Sequence, residues 1–270
     1  MTRPDWSPSE IDLTRASAAR IYDYNLGGSH NFAVDREVAD RINRAMPDFA
    51  GLQRANRAFL RRAVKFIVNA GIRQLVDLGS GIPTVGNVHE IAQGVAPESR
   101  VVYVDIDSVA VIHSNAILKG NDRAAAIQAN VRDVDQILAT PTLRSLIDFS
   151  QPTAVLMASV LHYIPDDDEA LGVVRTFRDV MSAGSYLMIS HGTLEGSTSD
   201  EIQAGVQAGN ANEVSVTMRS RAEIIRMFEG FDILEPGVVF TPQWRPDSPD
   251  DEFGNRPDRS AVYAAVGRKR

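Results

Sequence analysis

Asp77 stands two residues before Gly79 and four before Gly81 in the run LVDLGSGIPT (75–84). The apolar residues read as a buried strand, and the glycines as the turn that ends it. Glycine takes positive φ freely and carries no side chain, so the backbone of such a turn can close on a ligand. Turns of this kind usually cradle a nucleotide. This one departs from the dinucleotide pattern G-x-G-x-x-G, because Thr84 occupies its third glycine position. Asp77 departs from it too, since a carboxylate beside the turn repels a pyrophosphate and would welcome an ammonium group. A second carboxylate, Asp105, closes the run RVVYVDID (100–107) and can accept hydrogen bonds from two ribose hydroxyls. A third run, AAIQANV (125–131), leads to Asn130, with Asp133 just beyond. Either could bond an adenine amino group while the Val131 N–H donates to a ring nitrogen. Taken alone, Asn130 is an ordinary turn residue, and Asp105 suits nicotinamide cofactors equally well.

A nucleoside with an ammonium group and no phosphate fits this set of strand ends, and S-adenosylmethionine is such a ligand. Methyl transfer from its sulfonium is an in-line displacement with a neutral leaving group. Alignment can supply much of the rate, and a base is needed only if the acceptor must lose a proton. His162 in SVLHYIPD and His191 in MISHGT follow the fourth and fifth apolar runs. With an ordinary pKa of about 6.5, either could act as that base or touch the acceptor. Each also has a structural reading: His162 capping the next helix or lying beside the adenine, His191 bonding a neighbouring loop. His30 is a further candidate, whereas His89 and His113 fall in helical patterns and read as structural.

The elements that would hold these residues follow from periodicity. Apolar runs at 75–80, 100–107, 125–131, 153–164 and 185–192 alternate with helical patterns at 84–95, 107–120 and 166–184. Strands alternating with helices imply a mainly parallel sheet covered on both faces. Pro83 is read as a harmless helix start, since the N–H it lacks would be unpaired there. Asp107 and the Ser220/Glu223 pair are placed to cap helices. Runs at 231–240 and 260–268 are joined by about twenty proline-rich residues without a helical pattern, which suggests an antiparallel pair at the end of the sheet. Ahead of the sheet, a helical block covers 47–71, and its basic run RANRAFLRRAVK (54–65) reads as the wet face of a helix. Further upstream, Tyr22, Asp23, Tyr24, Asn25, His30 and Asn31 crowd around Gly27 and Gly28. That turn is either a cap on the sheet or a lid over the ligand. As a lid it would set Tyr22, Gly28 and Asn31 over the sulfonium, where a tyrosine face attracts a cation. Deleting residues 1–35 is then expected to abolish cofactor binding in a calorimetric titration while the sheet still folds.

Composition narrows the partners. A formal charge of −7 opposes nucleic-acid binding by bulk electrostatics. The chain has no cysteine, which excludes disulfides and thiolate metal sites. The carboxylates of PDDDEA (165–170) lack the spread and central glycine of a calcium loop and read as helix N-terminal charge. No metal is expected. No apolar run approaches the roughly 20 residues of a membrane helix, and MTRPDWSPSEIDLTR has no apolar signal core. A cytoplasmic protein without membrane or nucleic-acid partners is expected; the oligomeric state is not legible.

Asp-x-Gly-x-Gly after the first strand, an acid after the second and a polar pair after the third resemble a class I S-adenosylmethionine-dependent methyltransferase over residues 72–268. That resemblance implies an α/β fold: a doubly wound, seven-stranded Rossmann-like sheet of order 3-2-1-4-5-7-6 with strand seven antiparallel. It also implies a cofactor set in which Gly79, Ser80 and Gly81 lie near the methionine moiety, Asp105 and Ile106 at the ribose end, Asn130 and Val131 at the adenine, and Ser159 alongside. More narrowly, ARIYDYNLGGSHNFAVDRE, NRAFLRRAVKF, DLGSGIPTVGNVHE, VVYVDID and VLHYIPD resemble an actinobacterial methyltransferase family catalogued as a domain of unknown function. The expectation is a core at 71–270 with an N-terminal helical extension or lid at 1–70, and O- or N-methylation of a small-molecule acceptor. A non-catalytic sensor of S-adenosylmethionine or S-adenosylhomocysteine is the rival reading. It would need no open path to the methyl group.

Overall fold

A computed structural model of the chain describes residues 14–83, 86–196, 199–212 and 214–270. The N-terminal run read for a leader lies mostly outside the described residues, as do Thr84 and Val85 of the expected helix at 84–95. Three helices come first: α1 (Ala18–Asn25), α2 (Ala33–Ala45) and α3 (Phe49–Asn69). The alternating part follows as β1 (Gln74–Leu78), α4 (Val88–Val95), β2 (Arg100–Asp105), α5 (Ser108–Ile117), β3 (Ala124–Gln128), α6 (Val134–Ala139), α7 (Pro141–Leu146), β4 (Ala154–Ala158), α8 (Asp167–Val180) and β5 (Tyr186–Gly192). Then come α9 (Ser199–Asn210), α10 (Arg221–Met227), β6 (Phe231–Ile233), β7 (Val239–Phe240) and β8 (Val262–Lys269).

The sheet runs β3-β2-β1-β4-β5-β8-β6, with β7 also paired to β8. The strands from β3 to β5 are parallel, and β8 is antiparallel to β5, β6 and β7. This is the expected order with β8 in the seventh place. The additional strand arises because the run at 231–240 breaks in two. Pro236 cannot donate to a ladder, and Gly237 turns the chain at φ 89°.

Both faces of the sheet are buried, as a parallel sheet requires. Val76, Val102, Val155 and Met157 pack against α8 through Leu171, Val174 and Phe177. Leu75, Val101, Leu156 and Met188 point the other way, against Phe59, Val64 and Ile67 of α3 and Ala92 of α4. α3 is therefore a covering layer of the sheet. Its basic run is not simply a wet face: Arg62 is 5% exposed. Its guanidinium donates to the Trp244 and Thr241 carbonyls at 3.0 and 2.8 Å.

Caps set the helix starts. The Asp107 carboxylate accepts from the Val109 N–H at 2.8 Å, and Ser220 pairs reciprocally with Glu223. α4 begins later than expected. Asn87 caps it, with the Glu90 side chain returning to the Asn87 N–H at 2.8 Å, so Pro83 belongs to the preceding loop. α9 was not foreseen. It packs on α2, and Gly205 and Gly209 lie where the two helices approach: a Cβ on Gly205 would meet the Met46 Cβ at 3.0 Å.

Candidate active site

A cavity of about 480 Å³ opens beyond the C-terminal ends of β1, β2 and β4, where ligands bind in sheets of this kind. Gly79 and Gly81 both have positive φ (67° and 68°), so this turn requires glycine. A Cβ on Gly79 would also lie 2.4 Å from Val160. The Gly79 N–H is anchored to the Val104 carbonyl at 2.8 Å. Ile82 is buried against Phe32 and Val109, so the N-terminal segment clamps the turn from above.

Asp77, Ser80, Asp105, Ile106, Asn130, Val131, Ser159, His162 and Tyr22 all line the cavity together with Gly79 and Gly81. Asp77 is 3% exposed. Burial pushes its pKa up to about 7; Arg57 opposes the shift and Asp105 adds to it. Burial likewise raises Asp105 to about 6, against the pull of the backbone N–H groups of Asp107 and Gly81. Those N–H groups occupy one site on each Asp105 oxygen, at 2.8 and 2.7 Å. Each oxygen keeps a lone pair for a ligand hydroxyl. Ile106 is 63% exposed, an apolar face left open at the end of β2. The Asn130 side chain accepts from the Arg132 N–H at 3.1 Å, making a local turn as it borders the cavity.

Ser159 sits at φ 52°, which is strained for a non-glycine residue. Its N–H donates to the Ser190 hydroxyl at 3.0 Å. That hydroxyl donates to Asn56 at 2.6 Å, and Asn56 donates to the Tyr22 hydroxyl at 3.3 Å. Tyr22 in turn donates to the Gln53 carbonyl at 2.9 Å. One hydrogen-bonded line thus joins β4, β5, α3 and α1 across the cavity wall.

Gly28 and Asn31 do not line the cavity. They fold the turn between α1 and α2 around Asp23, whose carboxylate accepts from the His30 N–H at 2.9 Å and the Asn31 amide at 2.8 Å. Gly28 is required there because a Cβ would lie 2.0 Å from that carboxylate. His191 does not reach the cavity either. It is fully buried. One ring nitrogen faces the Gly192 carbonyl and the other Arg219, each at 2.9 Å. The arginine can only donate, so the His191 proton sits on the Gly192 side and neither nitrogen is left for an acceptor. Burial holds its pKa down to about 4. Arg219, so oriented, binds the Leu161 and Ile164 carbonyls and Asp167, shaping the segment that carries His162.

His162 is different. Its Nδ1 is buried without a hydrogen-bond partner. Burial, with His191 and Arg219 adding to it, lowers its pKa to about 3, so the ring is neutral at any ordinary pH. Two further residues lining the cavity also carry a buried, unpartnered polar atom: Gln53 Oε1 and Arg57 Nε. Both come from α3. Sequence reasoning missed them because the basic run around Arg57 resembled a solvated face. The available signal was Asn56 and Arg57 interrupting an apolar helix one turn after Gln53. The cavity continues away from the glycine turn into an apolar lobe formed by α2, α3 and α9. Among the described residues there is no helix long and apolar enough to cross a membrane and no cluster suited to a metal ion.

A parallel sheet with one reversed strand, and a glycine cradle flanked by two strand-end carboxylates, define a methyltransferase of the Rossmann-like class. The chain belongs to the S-adenosyl methyltransferase family, whose profile it matches over residues 4–270, and S-adenosyl-L-methionine is its methyl donor. It is 40% identical to a candidate methyltransferase from Thermobifida fusca YX, covering 99% of this chain and 100% of that one with a TM-score of 0.92. It is 39% identical to a DUF574 family protein from Streptomyces avermitilis MA-4680, covering 97% and 100% with a TM-score of 0.92. The N-methyltransferase NodS of Bradyrhizobium japonicum WM9, in complex with S-adenosyl-L-homocysteine, shares the fold at 12% identity, covering 93% and 98% with a TM-score of 0.50. Among curated proteins, none matches this chain.

Proposed function

We propose that the protein methylates an oxygen or nitrogen of a small molecule, and that the residues at the glycine turn hold the donor. The observation that carries this reading is the continuity of the cavity: donor-side carboxylates and glycines occupy one end, and a second lobe opens beyond them. A sensor of the donor needs no such lobe.

The donor's functional groups match the lining. Asp77 would pair with the ammonium group, and the unpartnered Arg57 Nε with the carboxylate of the same amino-acid end. Gly79, Ser80 and Gly81 let the backbone approach. Asp105 has a free lone pair for each ribose hydroxyl. Ile106 and Val131 offer apolar faces for the adenine, with Asn130 at its edge. Tyr22 and Ser159 border the region between donor and acceptor. Gly28, Asn31 and His191 act on this site through the loops they shape. When bound, the donor supplies an electrophilic methyl carbon on a sulfonium whose departure leaves a neutral thioether. The chain's own contribution is alignment and exclusion of water. His162 is too weakly basic to take a proton at neutral pH and instead hydrogen-bonds the acceptor.

Calorimetric titration with S-adenosylmethionine and S-adenosylhomocysteine tests the donor site. Micromolar binding that is weakened at least tenfold by Arg57→Met is expected. Wild-type affinity in Arg57→Met would remove that residue from the site. Transfer of labelled methyl from the donor to a screened acceptor tests the activity itself.

A further inference from the structure

We infer that the methyl acceptor is an uncharged, mainly hydrophobic molecule, seated in the lobe between α2, α3 and α9 with its polar group against His162 and Gln53. The inference rests on the glycine-turn end being the donor site, and it adds the chemistry of what stands opposite.

The lobe is walled by Ile42, Met46, Phe49, Ile202, Val206 and Met218, which line the cavity and belong to two hydrophobic clusters separate from those of the sheet. The charged residues among the described lining are Arg57, Asp77, Asp105, Asp107 and Arg132. Every one of them lies at a strand end, just beyond one, or on α3 facing the glycine turn. The α2 and α9 walls bring none. A carboxylate, phosphate or ammonium placed in this lobe would be desolvated without a counter-charge, which is among the most costly arrangements a pocket can impose. Nucleic acid and phosphorylated acceptors are disfavoured on the same ground.

The lobe is nevertheless not wholly apolar. His162 Nδ1 and Gln53 Oε1 are buried without partners. Buried polar groups are normally satisfied, so a pair of unsatisfied atoms on one cavity marks where a ligand hydroxyl or N–H belongs. His162 is neutral, so it serves as a hydrogen-bonding group rather than as a charge for an anion. Its Nδ1 faces Gly192, where a Cβ would lie 3.9 Å away and would strike the Met218 sulfur at 2.6 Å. Glycine at 192 therefore keeps room for the Met218 side chain beside His162. Met46 and Met218 are unbranched and adapt to irregular apolar shapes.

A matched set of naphthalenes tests this. 1-Naphthalenemethanol, 1-naphthoate and 1-naphthylmethylammonium share one ring system and differ in charge. Each is titrated calorimetrically into full-length protein saturated with S-adenosylhomocysteine. The neutral alcohol is expected to bind at least tenfold more tightly than either ion. Val206→Glu is expected to weaken the alcohol at least tenfold while S-adenosylhomocysteine affinity stays within threefold. If that variant does not fold, Val206→Phe, which narrows the lobe without charge, should give the same loss. Equal or tighter binding of an ion, no binding of any of the three, or an alcohol affinity unmoved by both substitutions overturns the inference. A prior titration with S-adenosylhomocysteine alone reports on the donor site, so failure there is read separately.

Discussion

Asp77 carries a conflict that the bound donor would relieve. Its carboxyl is buried and holds its proton up to about pH 7, whereas an ammonium partner requires the anion. Donor affinity should therefore weaken as the pH falls below about 7, with proton release on binding that calorimetry in buffers of different ionisation enthalpy can count. The apo fold is expected to follow the opposite trend. A carboxyl whose folded pKa lies above its unfolded value stabilises the fold fully below about pH 4 and loses that contribution as the pH rises through about 7. Asp77→Asn should consequently raise apo stability at pH 8 by roughly 2–4 kcal/mol, seen as a higher melting temperature, while costing donor affinity at least tenfold. The two histidines are separable in the same way. His191→Ala should lower the melting temperature by freeing Arg219, at a cost of about 2 kcal/mol, with donor affinity unchanged. With the donor saturating, so that the Asp77 dependence drops out, the pH profile of kcat should show no histidine inflection near 6.5, because the His162 pKa lies near 3. Gly28→Ala should destabilise the N-terminal turn by about 2 kcal/mol through its clash with Asp23, read as a drop in melting temperature. At this level the sequence was informative about position at the strand ends: Asp77, Gly79, Gly81 and Asp105 all line the cavity. It was silent where the job depends on which way a helix faces, as for Gln53 and Arg57. It misled where a polar cluster folds its own loop, as for Gly28 and Asn31.

The strands and their covering helices were legible because their periodicity and caps are local facts. β2, α5 and α8 fall within a few residues of their expected positions. Two boundaries moved for local reasons as well: α4 waits for the Asn87/Glu90 cap, and the run at 231–240 breaks at Pro236 and Gly237. α9 escaped because AGVQAGN carries no apolar stripe. Its significance lies in Gly205 and Gly209, four residues apart on the side facing α2. Gly205→Leu should push α9 from α2, since the added Cβ already meets Met46 at 3.0 Å. Loss of 1-naphthalenemethanol binding with retained S-adenosylhomocysteine binding is the expected result by calorimetry. Packing does not break at residue 70. α3 shares a core cluster with the sheet, whereas Ile21 of α1 and Val38, Ala39 and Ile42 of α2 form a cluster apart from it.

At the scale of the whole molecule, the C-terminal edge of the sheet faces a helical roof across the cavity. Buried side chains fasten the two. Arg20 lies 3.4 Å from Asp35 and 3.6 Å from Asp107, and the Ser17 hydroxyl also donates to Asp107. α1 is thus tied to the rim of the donor end at the start of α5. Donor binding should slow amide hydrogen exchange in residues 17–25 along with the β2–α5 junction, and an acceptor should add protection in residues 199–210. The sheet has a further consequence for how the chain comes into being. Among the described residues, β6 and β7 pair with β8 alone, and β8 lies between β5 and β6. During synthesis β6 and β7 leave the ribosome before their partner exists, and the apolar edge of β5 stays open until residue 262 has emerged. A released chain truncated after Ser260 should expose that edge to proteases and to holdase chaperones, and restoring the last ten residues, which carry β8, should close it.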